Sequence, residues 1–234
     1  MFLVSLSPNH FYYMKQLRYY MTTMDSMDIA MIIALILSVI LHEMAHGYAA
    51  NWLGDPTARL AGRLSPNPLV HLDPMMSVIL PGILIATGSP ILFGAAKPVP
   101  YNPYNLRNQK WGEAIVAVAG PLANLGIAVV FAVIIRLADV LNLSQTFVIL
   151  AFSIITLNIF LAFFNLVPIP PLDGSKIFPR FLPRPLAMKY ESFRRYFEQN
   201  VALGFALVII FFLVFLSGPL YALTQFLARL LTGY

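Results

Sequence analysis

The chain reads as an all-α multi-pass membrane protein that also carries a small membrane-associated β element and a re-entrant segment. Three observations point there. Of 234 residues, 59% are hydrophobic and only 11% charged, with mean hydropathy +0.76, a composition too apolar for a soluble domain. Apolar runs long enough to cross a bilayer recur along the chain, at Asp28–Leu53, Glu113–Leu137 and Gln145–Val167. Between them lie proline-rich stretches that continuous helix does not tolerate.

The chain divides into an N-terminal segment (1–27), a membrane core (28–178) and a C-terminal part (179–234). Met1–Met27 contains Lys15 and Arg18 but neither a 15-residue apolar run nor a small-residue cleavage site, so a cleaved signal peptide is not expected. No function attaches to this segment. The first spanning helix, Asp28–Leu53, ends at Gly54-Asp55-Pro56.

His42, Glu43 and His46 lie within that helix. An ionisable group inside a membrane helix needs a partner that offsets its burial. His42 and His46 are one turn apart and project from one face, with Glu43 close by, which is the HExxH spacing. Two imidazoles so placed suit one zinc ion per chain, and the glutamate is left to take a proton from water. Histidines that merely hydrogen-bond across a bundle are the plainer explanation. With no cysteine anywhere, disulfides and thiolate ligands are excluded, and a metal must be held by nitrogen and oxygen.

From Pro56 to Pro103 nine prolines change the texture. Leu60–Leu69 and Leu92–Tyr101 read as extended segments forming a small sheet at the membrane surface. Between them Pro74–Phe93 is apolar but broken by Pro81-Gly82 and Gly88-Ser89-Pro90, and is expected to dip into the membrane and return. His71 and Asp73, two residues apart, are candidates for a contact near the metal, with His71 behind the ligands; a polar turn leading into Pro74 also explains them.

Glu113–Leu137 contains Gly120-Pro121-Leu-Ala-Asn124, whose small residues permit close helix approach and whose amide needs a partner. Gln145–Val167 contains Asn158 and Asn165 and runs into Asn165-Leu-Val-Pro168-Ile-Pro170-Pro171-Leu-Asp173-Gly174. Three prolines rule out helix there, and broken backbone at membrane depth must be sheltered by protein. The residues themselves leave His71, Asp73 and Asp173 open as a third ligand.

Taken together, HEMAH at His42–His46, GPLAN at Gly120–Asn124 and NLVPIPPLDG at Asn165–Gly174 resemble the site-2 protease family of zinc intramembrane metalloproteases, peptidase family M50. The resemblance covers about Asp28–Phe178 and looks like a compact form without a PDZ insertion. It implies that Asp173 completes the zinc site of His42 and His46, that Glu43 is the catalytic base, and that Asn165, with Asn124, faces substrate.

Under that assignment the site closes only if His42, His46 and Asp173 share one half of the membrane, so Pro74–Phe93 should not cross. The cytoplasmic loops of that topology hold eleven of the fifteen basic residues, although an all-crossing topology collects as many. Leu186–Gln199 places Leu186, Tyr190, Phe193 and Phe197 at helical spacing among Lys189, Arg194 and Arg195, an interfacial helix on anionic lipid or a plain connector. Val201–Leu216 reads as a final span, with a further helix open after Gly218-Pro219.

The function this predicts is zinc-dependent hydrolysis of peptide bonds within or near transmembrane segments of membrane-protein substrates. The partners are those substrates and the lipid bilayer, with self-association open, in a prokaryotic plasma membrane with the site toward the cytoplasm. The net charge of +5 does not indicate nucleic acid, because no basic cluster interleaves with aromatics. A transporter with a His/Glu relay, or an inactive scaffold for membrane helices, are the alternatives.

Overall fold

A computed structural model describes residues 25–74, 79, 83 and 96–233. The described elements in chain order are α1 (Ser26–Trp52), α2 (Thr57–Leu60), α3 (Gly112–Arg136), α4 (Gln145–Asn165), α5 (Gly174–Ile177), α6 (Arg184–Gln199), α7 (Val201–Phe211) and α8 (Ser217–Thr232), with short 3-10 turns between some of them. Among the described residues four helical runs are long and apolar enough to cross a membrane: α1, α3, α4 and Ala202–Thr232. The protein is an all-α multi-pass membrane protein, and Ile33, Ile36 and Leu37 of α1 and Val129, Val130 and Val133 of α3 are among its exposed apolar side chains.

Each span starts and stops for local reasons. Asp25 caps α1 by accepting from the amides of Met27 and Asp28, and Asp28 returns the bond to the Asp25 amide. Ser144 caps α4 through the Phe147 amide. The last span is one run, α7 continuing into α8 through a π turn at Phe212–Leu216, where sequence left a separate helix open. Pro219 has no amide hydrogen and its ring crowds the preceding turn, which a widened turn relieves without ending the helix.

The core lies where α3, α4 and α8 meet. Ala128 and Ala132 of α3, Ala151 of α4 and Ala228 of α8 are buried around Ile135, Ile155 and Ile159. Small residues at the crossings let backbones approach, which is the main source of helix association in lipid. Arg136 then ties the end of α3 to the end of α8, its Nε donating to the Leu231 carbonyl at 2.6 Å and its Nη2 to the Leu230 carbonyl at 3.1 Å.

Asp55 fixes the connection after α1. Its carboxylate accepts from the Thr57 amide and hydroxyl, the Asn102 amide and the Asn105 side chain. Burial works against its charge, but these bonds outweigh burial and hold the carboxyl below its ordinary range. The Arg107 amide donates to the Leu53 carbonyl at 2.8 Å, so the stretch between α1 and α3 leaves and rejoins the bundle at one place. The re-entrant segment expected at Pro74–Phe93 lies almost wholly outside the described residues.

The expected sheet is not present: no strand occurs among the described residues. Leu60 ends α2, Pro68–His71 is a 3-10 turn, and Ala96–Pro100 has no ladder; Leu92–Ala95 lies outside the described residues. The cause is in the sequence, because Pro66, Pro68, Pro98 and Pro100 remove the amide donors that pairing requires. One backbone bond joins the segments, from the Lys97 amide to the His71 carbonyl. Arg63 supplies the rest, its guanidinium donating to the carbonyls of Val70, Lys97 and Pro98.

Candidate metal centre

The site forms where the C-terminal half of α1, the N-terminal half of α3 and the break after α4 converge. His42 Nε2 and His46 Nε2 lie 3.0 Å apart, and Asp173 Oδ2 stands 3.2 and 3.3 Å from them. All three residues are buried, and they are a group in the described residues whose ligand atoms are close enough for one ion. Asp173 reaches the site because the break at Pro168, Pro170 and Pro171 turns the chain back, with a cis peptide between Pro170 and Pro171.

The protonation of the imidazoles follows from their outer partners. His46 Nδ1 lies 2.7 Å from the Val116 carbonyl, which only accepts, so that nitrogen carries the proton. His42 Nδ1 lies 2.6 Å from Asn124 Oδ1 and donates likewise. Both Nε2 atoms therefore present lone pairs toward a carboxylate oxygen, three acceptors facing one another in a buried space. Such an arrangement calls for a cation. Zinc ligands at about 2.0–2.1 Å in a tetrahedron stand about 3.3 Å apart, close to what is found here. Two neutral imidazoles and one carboxylate fit zinc and leave a fourth position open.

Two glycines make this geometry available. A Cβ on Gly120 would stand 2.5 Å from His46 Nε2 and 2.6 Å from His42 Nε2, so the imidazoles rest directly on the backbone of α3. A Cβ on Gly174 would run into the carbonyls of Leu166 and Val167, so the chain beside Asp173 folds against the end of α4. In the sequence both stand out only as parts of motifs.

A cleft of about 310 Å³ opens over the three ligand atoms. Glu43 lines it, its Oε2 accepting from the Val99 amide at 2.9 Å. Asn165 lines it too, its side chain donating to the Leu161 carbonyl. On the far wall the Lys176 ammonium sits 5.6 Å from the centre of the Tyr101 ring. Burial disfavours charge on Lys176, yet the negative charges of Tyr101 when ionised and of the Asp173 carboxylate outweigh it and hold its pKa above the ordinary lysine value.

Two sequence candidates have other partners. Asn124 lines the cleft but is wholly buried, with its oxygen on His42 and its nitrogen donating to Asn158 Oδ1 at 2.9 Å, so its hydrogen bonds go to a histidine and a neighbouring amide. His71 does not line the cleft: its Nε2 donates to the Ser65 carbonyl at 2.8 Å, and it serves the turn before Leu72. Sequence reasoning missed Val99, which acts through its backbone, and Lys176. It noticed Asn158 only as an amide inside an apolar run, which was the one available signal.

Comparison with known proteins agrees with this architecture. The model of peptidase family M50 matches residues 135–211, which include α4 and the Asp173 break. The protein named Putative zinc metalloprotease YwhC of Bacillus subtilis is 38% identical over 147 residues, covering 60% of this chain and 64% of its own. A relative of the same designation, Rip2 of Mycolicibacterium smegmatis, is 34% identical over 140 residues, 56% of this chain and 49% of its own. MJ0611 of Methanocaldococcus jannaschii, also so designated, is 34% identical over 98 residues, 41% and 50%. The chain thus spans about half to two thirds of the length of the curated relatives it matches. No solved structure matches it. Three motifs that fold into one buried donor set, together with these matches, support the chain as a member of peptidase family M50, the site-2 protease family.

Proposed function

We propose that the chain is a zinc metalloprotease of the membrane that hydrolyses peptide bonds within or near the transmembrane segments of membrane-protein substrates. The observation that carries this is a buried three-ligand centre with a further carboxylate outside the donor set, Glu43, on the same cleft, inside a bundle of spanning helices. His42, His46 and Asp173 would hold the ion. Zinc, when bound, supplies Lewis acidity that polarises a carbonyl and lowers the pKa of water.

Glu43 does the proton work. The Val99 amide fixes one of its oxygens, leaving the other to accept the proton of the attacking water and deliver it to the leaving amine. Asn165, part-buried and pointing into the cleft region, is placed to orient the substrate carbonyl. A helical peptide bond keeps its carbonyl in the helix ladder, so the substrate unwinds locally before it enters. The working location is a prokaryotic plasma membrane with the cleft toward the cytoplasm, an orientation that the loop charges accept without selecting it.

The test is Glu43→Gln, assayed in detergent on a single-span membrane protein with a weakly helical core. The variant should retain the zinc content of the parent and lose cleavage by about 10²–10⁴-fold, the usual loss of a general base. Equal cleavage would remove Glu43 from the chemistry. A parent that binds no zinc and cuts nothing would favour a scaffold, and lost substrate flux in vesicles without cleavage would favour a transporter.

A further inference from the structure

The proposed chemistry does not use Asn158 or Ser38, yet both are buried side chains hydrogen-bonded in series with a ligand histidine. Asn158 Nδ2 donates to the Ile154 carbonyl at 2.9 Å and to Ser38 Oγ at 3.0 Å; its Oδ1 accepts from Asn124 Nδ2 at 2.9 Å; and Asn124 Oδ1 meets His42 Nδ1 at 2.6 Å. The chain of contacts spans α1, α3 and α4.

These bonds have a direction, and its origin can be located. A backbone carbonyl has no proton to give, so the Ile154 carbonyl requires the nitrogen of the Asn158 amide on its side. The Asn158 oxygen must then face Asn124. That oxygen requires the nitrogen of Asn124, which turns the Asn124 oxygen to His42. An acceptor there puts the imidazole proton on Nδ1 and leaves the Nε2 lone pair aimed at Asp173 and His46. The contrast with His46 is informative. Its Nδ1 proton is fixed by the Val116 carbonyl, which belongs to a helix backbone and cannot turn over. An asparagine amide can be reversed by a half-turn about its last bond, and then it would present a donor to His42 and move the proton to Nε2, where it blocks coordination.

We propose that Asn158 is a positioning residue: it prevents Asn124 from reversing and so fixes the metal-binding tautomer of His42. The inference rests on the reading of His42, His46 and Asp173 as a zinc site. Asn158 touches neither the ligand atoms nor the cleft, and it acts only through Asn124.

The experiment measures zinc affinity of purified full-length protein by competition with a chromogenic chelator. Asn158→Leu, close in volume but without an acceptor, should bind zinc about 10- to 100-fold more weakly, the usual loss when an outer partner of a ligand histidine is removed. Asn158→Asp keeps an acceptor toward Asn124 and should stay within about threefold of the parent, although it loses the amide donors to Ser38 and Ile154. Asn124→Asp cannot present a donor to His42 when ionised, so adding it to Asn158→Leu should restore affinity. Cobalt in place of zinc gives a spectroscopic check, since the visible bands of the Asp variant should match those of the parent.

If the Leu and Asp variants weaken zinc equally, or neither does, the directional role is wrong and Asn158 merely ties three helices together. Should Asn158→Leu fail to fold, Asn158→Ala takes its place, with the same rescue by Asn124→Asp. A parent whose zinc content equals that of Asp173→Ala would overturn the zinc site and this inference with it, an outcome separate from the other two.

Discussion

Near the middle of α1, neutral side chains relay hydrogen bonds toward the ligand histidines; at the start of α3, charged side chains pair with one another instead. The inner network is Ser38, Asn158, Asn124 and His42, all buried. In the outer one, Glu113 accepts from Arg180 at 2.8 Å and from Arg194 at 2.6 Å, while Glu191 and Glu198 stand 3.6 and 3.7 Å from the same arginines. Depth explains the choice of groups. An ion inside a membrane span is costly without a counter-ion, so amides and neutral imidazoles are used there. At the helix ends water and lipid headgroups are near, and ion pairs can form at lower desolvation cost.

The two networks also fail differently. In the inner one each donor has one acceptor, so a single change redirects the groups behind it. The outer one is redundant, because each arginine has two carboxylates. It fastens α6 to the core, helped by the Tyr190 hydroxyl donating to the Pro168 carbonyl at 2.9 Å. α6 therefore turns Arg194 inward and leaves Leu186, Met188, Phe193 and Tyr196 exposed beside Arg184, Lys189 and Arg195. That orientation suits a helix lying in a lipid interface.

The largest effect that would break this contrast belongs to Gly120. The imidazoles resting on it are pinned by Asn124 and Val116 and cannot retreat, so Gly120→Ala should weaken zinc binding by at least about 100-fold, beyond the loss of an outer partner. Chelator competition on folded protein decides it; unchanged affinity would mean that the rings do not lie against α3. Next, Glu113→Gln should lower stability by about 1 kcal/mol, because Glu191 and Glu198 remain beside Arg180 and Arg194 in these part-exposed pairs. Zinc affinity should change by less than about threefold, because neither ligand histidine bonds to Glu113. Thermal melts beside zinc titrations would show whether the two networks are separable, and a large loss of affinity would show that they are one.

The smallest effect is a titration. Burial pushes the Tyr190 phenol up to about 12, with Arg194 pulling it back only partly. The folded state then holds this proton more tightly than the unfolded chain, whose tyrosines titrate near 10. The associated stability is fully present below about pH 10 and is lost as pH rises through 12. The phenolate absorbance of the parent minus that of Tyr190→Phe should titrate near 12; a midpoint near 10 would mean that α6 is not held against the Pro168 carbonyl.

How much of this was readable beforehand varies with sequence separation. The HExxH pair was readable because one helical turn relates its members, and the spans were readable because lipid demands long apolar runs. The break after α4 follows from Pro168, Pro170 and Pro171, but the sheet expected between α1 and α3 did not follow. The prolines that forbid helix also remove ladder donors, and that Arg63 would replace them depends on Val70 and Lys97 arriving beside it. Asn124 was recognised as an amide in need of a partner, whereas its partner, 82 residues away in sequence, was not.

The sequence by itself determined the membrane class, the helices, the two histidines on one face and the exclusion of sulfur ligands, since each follows from local composition or spacing. By spacing alone Asp173 was one of three candidates, and the motif resemblance singled it out; packing brings it, 131 residues after His42, against both histidines, makes Gly120 the seat of both rings and runs a chain of amides to one of them. The reason is physical. Periodicity along a helix fixes which side chains share a face, but which groups meet across helices, and in which hydrogen-bond direction, is set by how closely backbones approach and by what each buried polar atom finds there.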